Sequence, residues 1–587
     1  MATHEDHNVL QPWASLDITK FSVALGVFGF YLVTIGQLSY LIKARLLMSS
    51  ALLALCVGIA VGPIGLDWIS PWQWTSFDEE ERRNLTFQIT RVVIGIQVMF
   101  AGIDLPAAYL RREARSLFML LGPIMTAGWF ISAGFILLFV PALTFLEALA
   151  ISACITPTDP ILANAIVKGR YAEKHVPKAV RDIISAESGA NDGLGFPFLF
   201  IALNLMQGSN HGRDIGQSIA HWVVTTWLYQ IFMSCAIGAV IGFLAAKTLK
   251  FCHARQLVDH ESFLAYGVGL ALFTLGVVGI LGSDDILACF VAGNSLTWHD
   301  FYRIEKHEHE DTFQDVIDGL LDTATFIYIG ALIPWSEFSS EYLKPWRLVL
   351  FAICILLFRR LPAMLLLYRY IPALEGLKEG LFAGWFGPIG VSALYYAILA
   401  LETLPEERVV LREVIFPVVI FMAMSSTIVH GITIPLAKAP LAIARTKSSF
   451  SAKNDDNAPS WWRRRAIHEA NSAGGTPTAG TPGPASRAPS RRPSFDGSAS
   501  ASVDGSVDGE QHERDGSHEG VAKGAPQGPK MAVAPGTAPV SVSSGSRTEV
   551  GRQDHAAGGA GGAGDGMEQG KERRVTYALP DEVPNGF

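Results

Sequence analysis

Thirteen apolar stretches, each about as long as a membrane-crossing helix, run through the chain at about residues 20–41, 46–66, 88–110, 116–139, 142–167, 179–206, 220–246, 261–281, 283–299, 315–335, 346–369, 379–401 and 410–437. A bilayer core of roughly 30 Å needs about 20 apolar residues per helix, and inside it every backbone amide must find its partner within the protein. The expected fold is therefore an all-α polytopic membrane protein. Composition agrees, because 50% of the 587 residues are hydrophobic and only 17% are charged, below the quarter or so usual in soluble domains. The net charge of -8 resides in the polar segments and carries no nucleic-acid footprint, so no nucleic-acid partner is expected.

Thirteen crossings put the two termini on opposite sides. With the C-terminus inside, the inner loops hold seventeen Lys and Arg and the outer loops seven. This bias predicts an outer N-terminus and a cytoplasmic C-terminus. The first 17 residues hold two Asp, one Glu and no Lys or Arg. They are expected to be a short extracellular segment without the basic leader of a signal peptide, with the first apolar stretch kept as a helix. The six cysteines lie singly without a CxxC pair, so neither a disulfide framework nor a zinc site is expected.

Residues 18–445 form the expected membrane domain, and 446–587 turn to Gly, Ser, Pro, Ala and charge, a composition that cannot bury a core. This segment is expected to be a disordered cytoplasmic tail. Within it, Trp461 to Arg465 (WWRRR) suits an anionic lipid headgroup layer, or is a solvated basic patch. Ser494 in RRPSF suits a basic-directed kinase, so a kinase or other regulatory protein is a candidate partner of the tail.

Ionisable residues inside membrane helices are costly and by default mark a substrate or proton path. In the sixth stretch, SAESGANDGLGFPFLF, Ser188 and Asp192 are four residues apart and share a helix face, as do Glu187 and Asn191. Asn191 and Asp192 can then line one cavity while Glu187 points to a neighbour. The plainer alternative is a loop between two helices, although too few apolar residues follow Asp192 to cross on their own. The fifth stretch is interrupted by TPTDP, where Pro157 and Pro160 remove amide donors and Asp159 suits an N-cap. The alternative there is an ordinary proline kink. The twelfth stretch is interrupted by GPIG at Gly387 to Gly390. Two interrupted segments in oppositely oriented halves are the sequence pointer to an inverted-repeat secondary transporter with its site at the midplane.

Other intramembrane polar residues keep two readings each. Arg359 and Arg360 in FRRLP need a partner at membrane depth; Glu187 is the candidate for one of them, with the other snorkelling to the cytoplasmic face, unless both snorkel. Asp284 and Asp285 lie between the eighth and ninth stretches and either draw cations into an outer funnel or cap the ninth helix. Asp104, near the inner end of the third helix, is similar. His430 in the last helix is a pH-responsive group or a packed, hydrogen-bonded histidine, packing being preferred.

Taken together, ITPTDPILANAIVKG, SAESGANDGLGFPFLF, GSDDILACFVAGN, FRRLP, GWFGPIGVSALYY and SSTIVHGITIP resemble the fungal plasma-membrane alkali-cation/proton antiporters of the monovalent cation/proton antiporter superfamily, over about residues 15 to 445. The resemblance implies about thirteen helices, a panel and a moving core domain, two crossing discontinuous helices, a homodimer among membrane lipids, and a cytoplasmic tail. It implies that Asp192 of the Asn191-Asp192 pair binds cation and proton in turn, with Ser188 and the backbone at Thr158 as co-ligands. Asp159 would be the acid of the crossing, and Glu187 the partner of a core arginine. Pro157 departs from the small residue expected between the threonines. No enzyme chemistry and no cofactor are implied beyond transported Na+, K+ or Li+ and H+. The expected activity is exchange of cytosolic Na+ (or Li+, K+) for H+ at the plasma membrane, serving salt tolerance and pH control. The alternatives are the same exchange, K+ included, in an endosomal or vacuolar membrane, and a cation channel or sensor signalling through the tail.

Overall fold

The computed structural model describes residues 20–41, 49–160, 162–163, 176–210, 212–298, 302 and 313–453. Every regular element among them is a helix, and helix lies at each of the thirteen stretches named above. Residues 1–17, and the tail beyond Lys453 with Trp461 to Arg465 and Ser494, fall outside the described residues. The last helix continues to Lys453, past the expected membrane boundary at 445.

In chain order the main helices are α1 (Lys20–Leu41), α2 (Ser50–Val61), α3 (Glu79–Asp104), α4 (Ala114–Phe139), α5 (Phe145–Cys154), α6 (Lys178–Asn210), α7 (Ile215–Ala254), α8 (His260–Ile280), α9 (Asp285–Leu296), α10 (Phe313–Leu332), α11 (Pro345–Phe358), α12 (Leu361–Leu367), α13 (Leu377–Trp385), α14 (Val391–Thr403) and α15 (Val409–Lys453). Among the described residues, six helical spans are long and apolar enough to cross a bilayer unaided: those of α3, α4, α7, α8, α11 with α12, and α15. Shorter apolar helices stand at α1, α2, α5, α9 and α14. Of the remaining three, α6 and α10 have the length but carry ionisable residues, and α13 is a single nine-residue helix.

The third helix begins earlier than its apolar stretch. Asp78 caps α3 by accepting from the amides of Glu80 and Glu81, and Glu79, Glu80 and Glu81 suit the positive end of the helix. Asn84, Leu85 and Thr86, an Asn-x-Thr glycosylation motif, therefore lie within the helix. Its Thr86 is buried, donating to the Arg82 carbonyl and bonding the Tyr328 hydroxyl at 2.7 Å.

Packing places α3 and α6 at the centre. Helix α3 lies against α6, α8, α9 and α14. Its backbone meets that of α9 directly, since a Cβ at Gly102 would strike the Phe290 carbonyl and one at Gly293 the Met99 carbonyl. Such close approach through small residues is how membrane helices gain dispersion energy without a hydrophobic drive. Helix α6 is enclosed by α3, α5, α9 and α14, so Ile183 through Gly193 are buried on every face, charged residues included.

Candidate functional site

Two interrupted helices meet beside α6. The first leaves helical geometry between Cys154 and Pro160, and the second between Trp385 and Val391. Unwound backbone at this depth must be bonded by the protein, and its partners are specific. The Asp159 amide donates to the Pro388 carbonyl at 2.9 Å, joining the breaks directly. The Ile389 amide donates to Ser426 Oγ on α15 at 2.8 Å. The Thr158 amide donates to Asn191 Oδ1 at 3.2 Å, and Asn191 Nδ2 returns a bond to Thr158 Oγ1 at 2.8 Å.

Asp159 is fully buried and caps two half-helices at once. Its Oδ1 accepts from the Leu162 amide at 3.3 Å, at the start of the turn after Pro160, and its Oδ2 accepts from the Val391 amide at 2.6 Å, at the start of α14. One negative charge thus faces two positive helix ends. A Cβ at Gly390 would overlap this carboxylate, so glycine is what lets the breaks approach so closely.

Both arginines are engaged, and they part company. Arg360 forms a two-pronged ion pair with Glu187, Nη1 on Oε1 and Nη2 on Oε2, the latter at 2.7 Å, while its Nε donates to the Ala383 carbonyl at 2.9 Å. The snorkelling expected of the other arginine is replaced by burial. Arg359 is 4% exposed and donates to the carbonyls of Ile155 at 2.5 Å, Thr156 at 2.9 Å and Gly387 at 2.5 Å, so one guanidinium closes carbonyls on both breaks. The planar five-donor fork of arginine suits such a multiple grip.

Against this bonded frame, the Asp192 carboxylate stands apart. It is 0% exposed, and among the described residues neither carboxylate oxygen has a hydrogen-bond donor. Asp159 and Asp284 are the carboxylates within electrostatic reach of it, and the buried Ser392 hydroxyl, also outside bonding geometry, sits alongside. Ser188, one turn before Asp192, shares a 3.1 Å contact with Thr158 Oγ1. An ionised carboxylate in this setting is costly unless something neutralises it. The arrangement calls for a proton or a cation.

The accessory residues resolve differently from the funnel and switch readings. Asp284 caps α9, accepting from the Leu287 amide at 2.9 Å, and Asp285 is paired with Arg91, whose Nε donates to Oδ2 at 2.5 Å; both acids are buried and do not line an open outer funnel. Asp104, the last residue of α3, accepts from Gln314 Nε2 at 3.1 Å. His430 is packed, as preferred, edge-on to Trp385 at 5.8 Å and beside Phe386 at 6.1 Å, but among the described residues its Nδ1 has no hydrogen-bond partner. Two contributors were not singled out from sequence: Ser426, which satisfies the second break, and Tyr396, whose hydroxyl donates to the carbonyls of Asp192 and Gly193. The available signal for Tyr396 was Pro197, which withholds an amide donor from Gly193.

Residues 30–438 match the family model described as "Sodium/hydrogen exchanger, transmembrane". The chain is 39% identical to a probable Na(+)/H(+) antiporter of Schizosaccharomyces pombe, across 76% of this chain and 60% of that protein. It is 36% identical to a Na(+)/H(+) antiporter of Saccharomyces cerevisiae, across 77% and 47%, and 34% identical to a second from Schizosaccharomyces pombe, across 72% and 91%. The chain spans about half of the length of several of these relatives. Among solved structures, the sodium proton antiporter MjNhaP1 of Methanocaldococcus jannaschii is similar in fold, with a TM-score of 0.52 at 19% identity, covering 70% of this chain and 100% of that one.

Proposed function

The chain belongs to the sodium/hydrogen exchanger family, and from that membership we propose that it is a secondary antiporter that exchanges Na+, with Li+ and K+ as further candidates, for H+ by alternating access. The observation that carries the reading is Asp192, a buried carboxylate with no hydrogen bond of its own among the described residues. A dehydrated carboxylate can hold a cation or a proton but rarely both, so competition for one site, exposed to each side in turn, yields exchange without covalent chemistry. Asn191, Ser188 and Thr158 are engaged with one another next to it and frame the site. Their oxygens are the neutral ligands for a small hard cation. Asp159, Arg359 and the Glu187–Arg360 pair hold the crossing around which the site opens.

This reading places the protein in the plasma membrane as a homodimer, with residue 500 cytoplasmic and residue 78 outside. In intact cells a tag inserted at residue 500 is expected to resist external protease, while a cysteine at position 78 reacts with an impermeant thiol reagent; the reverse pattern would overturn the orientation. The exchange itself is tested in proteoliposomes carrying a pH gradient. Added Na+, Li+ or K+ is expected to dissipate the gradient in wild type. A cation conductance indifferent to the proton gradient would instead mark a channel.

A further inference from the structure

Pro197 lies inside α6, and having no N–H it cannot donate to the Gly193 carbonyl one turn earlier. That carbonyl would be an open acceptor next to Asp192. Instead the Tyr396 hydroxyl, on α14, donates to the Gly193 carbonyl at 3.1 Å and to the Asp192 carbonyl at 2.5 Å. The fit is built for the ring. Tyr396 is 0% exposed, Phe196 meets it edge-on at 5.7 Å, and a Cβ at Gly195 would run into the tyrosine ring. The same half-helix is held at its first residue, Val391, by Asp159. Helix α14 therefore grips the crossing at one end and, five residues on, the backbone that carries Asp192.

Resting on the exchange reading above, we propose that Tyr396 is a positioning residue for Asp192: its hydroxyl supplies the donor that Pro197 removes and fixes the Asp192 turn against the crossing, so that cation affinity depends on it. A polar atom left without its partner at a buried site costs the site its preorganisation. Loss of the hydroxyl frees the Gly193 carbonyl and loosens the turn, while the ring keeps its packing.

The test is Na+-dependent thermal stabilisation of the purified full-length protein, which reads apparent cation affinity without requiring transport. Tyr396→Phe is expected to raise the half-saturating Na+ concentration roughly three- to tenfold, the range that one hydrogen bond is worth. Adding Pro197→Ala restores an amide to Gly193, and the double variant is expected to recover most of the lost affinity. Rescue separates this role from packing, since an alanine on α6 cannot replace a contact of the tyrosine ring. Unchanged affinity in Tyr396→Phe, or a double variant no better than the single, would overturn the inference. Stabilisation by Na+ in a wild type that fails to exchange in vesicles would overturn the functional reading and leave this test intact.

Discussion

Asp192→Asn is expected to abolish cation/proton exchange at every pH while leaving the protein folded and inserted. The amide keeps the volume and one acceptor oxygen but can neither ionise nor bind a proton in exchange for a cation. The Asp192 carboxylate lacks hydrogen bonds among the described residues, so the substitution breaks none of the bonds that hold the crossing. The expected loss is complete within the assay, measured as cation-induced dissipation of a pH gradient in proteoliposomes. Asp159→Asn should behave differently. Its carboxylate caps α14 and the turn after Pro160, and Asn still caps well, so activity should fall in part or shift in apparent affinity. Robust exchange by Asp192→Asn would place the carrier elsewhere.

Glu187→Ala is expected to strike folding before turnover. Glu187 is the buried anion bound through both oxygens by Arg360, with the buried Arg359 adjacent in sequence. Removing one partner of such a pair strands the other charge and typically costs about 3 to 5 kcal/mol, a large share of the stability of most proteins. The predicted result is a sharp drop in monodisperse protein extracted from the membrane and a lowered melting temperature. Combining it with Arg360→Leu should recover part of the loss, because no buried charge is then stranded. A Glu187→Ala protein that extracts and melts like wild type would contradict the assignment.

The fold was legible because the bilayer imposes its own length scale, and breaks within apolar runs are written in proline and glycine. TPTDP and GPIG announced both interruptions, and the four-residue spacing of Ser188 and Asp192 placed them on one face of α6. What stayed hidden depends on contacts far apart in the chain. Arg359 and Arg360 are neighbours, so no hydropathy pattern separates them. Their roles follow from a helix interruption between α11 and α12 that points one guanidinium at Glu187 and the other at carbonyls some two hundred residues earlier. The first turns of α3 escaped notice for the opposite reason, since Glu79 to Arg83 interrupt the apolar signal although the three glutamates suit a helix N-terminus. Tyr396 was missed because one unpaired carbonyl, not any periodicity, creates the need for it.

The central claim is that cation and proton compete for a single carboxylate. It is tested most directly by measuring wild-type exchange against Na+ concentration at a series of pH values in proteoliposomes. Acidification is expected to raise the half-saturating Na+ concentration, with saturating Na+ restoring most of the rate lost. Acid inhibition that persists undiminished at any Na+ concentration would contradict the shared site.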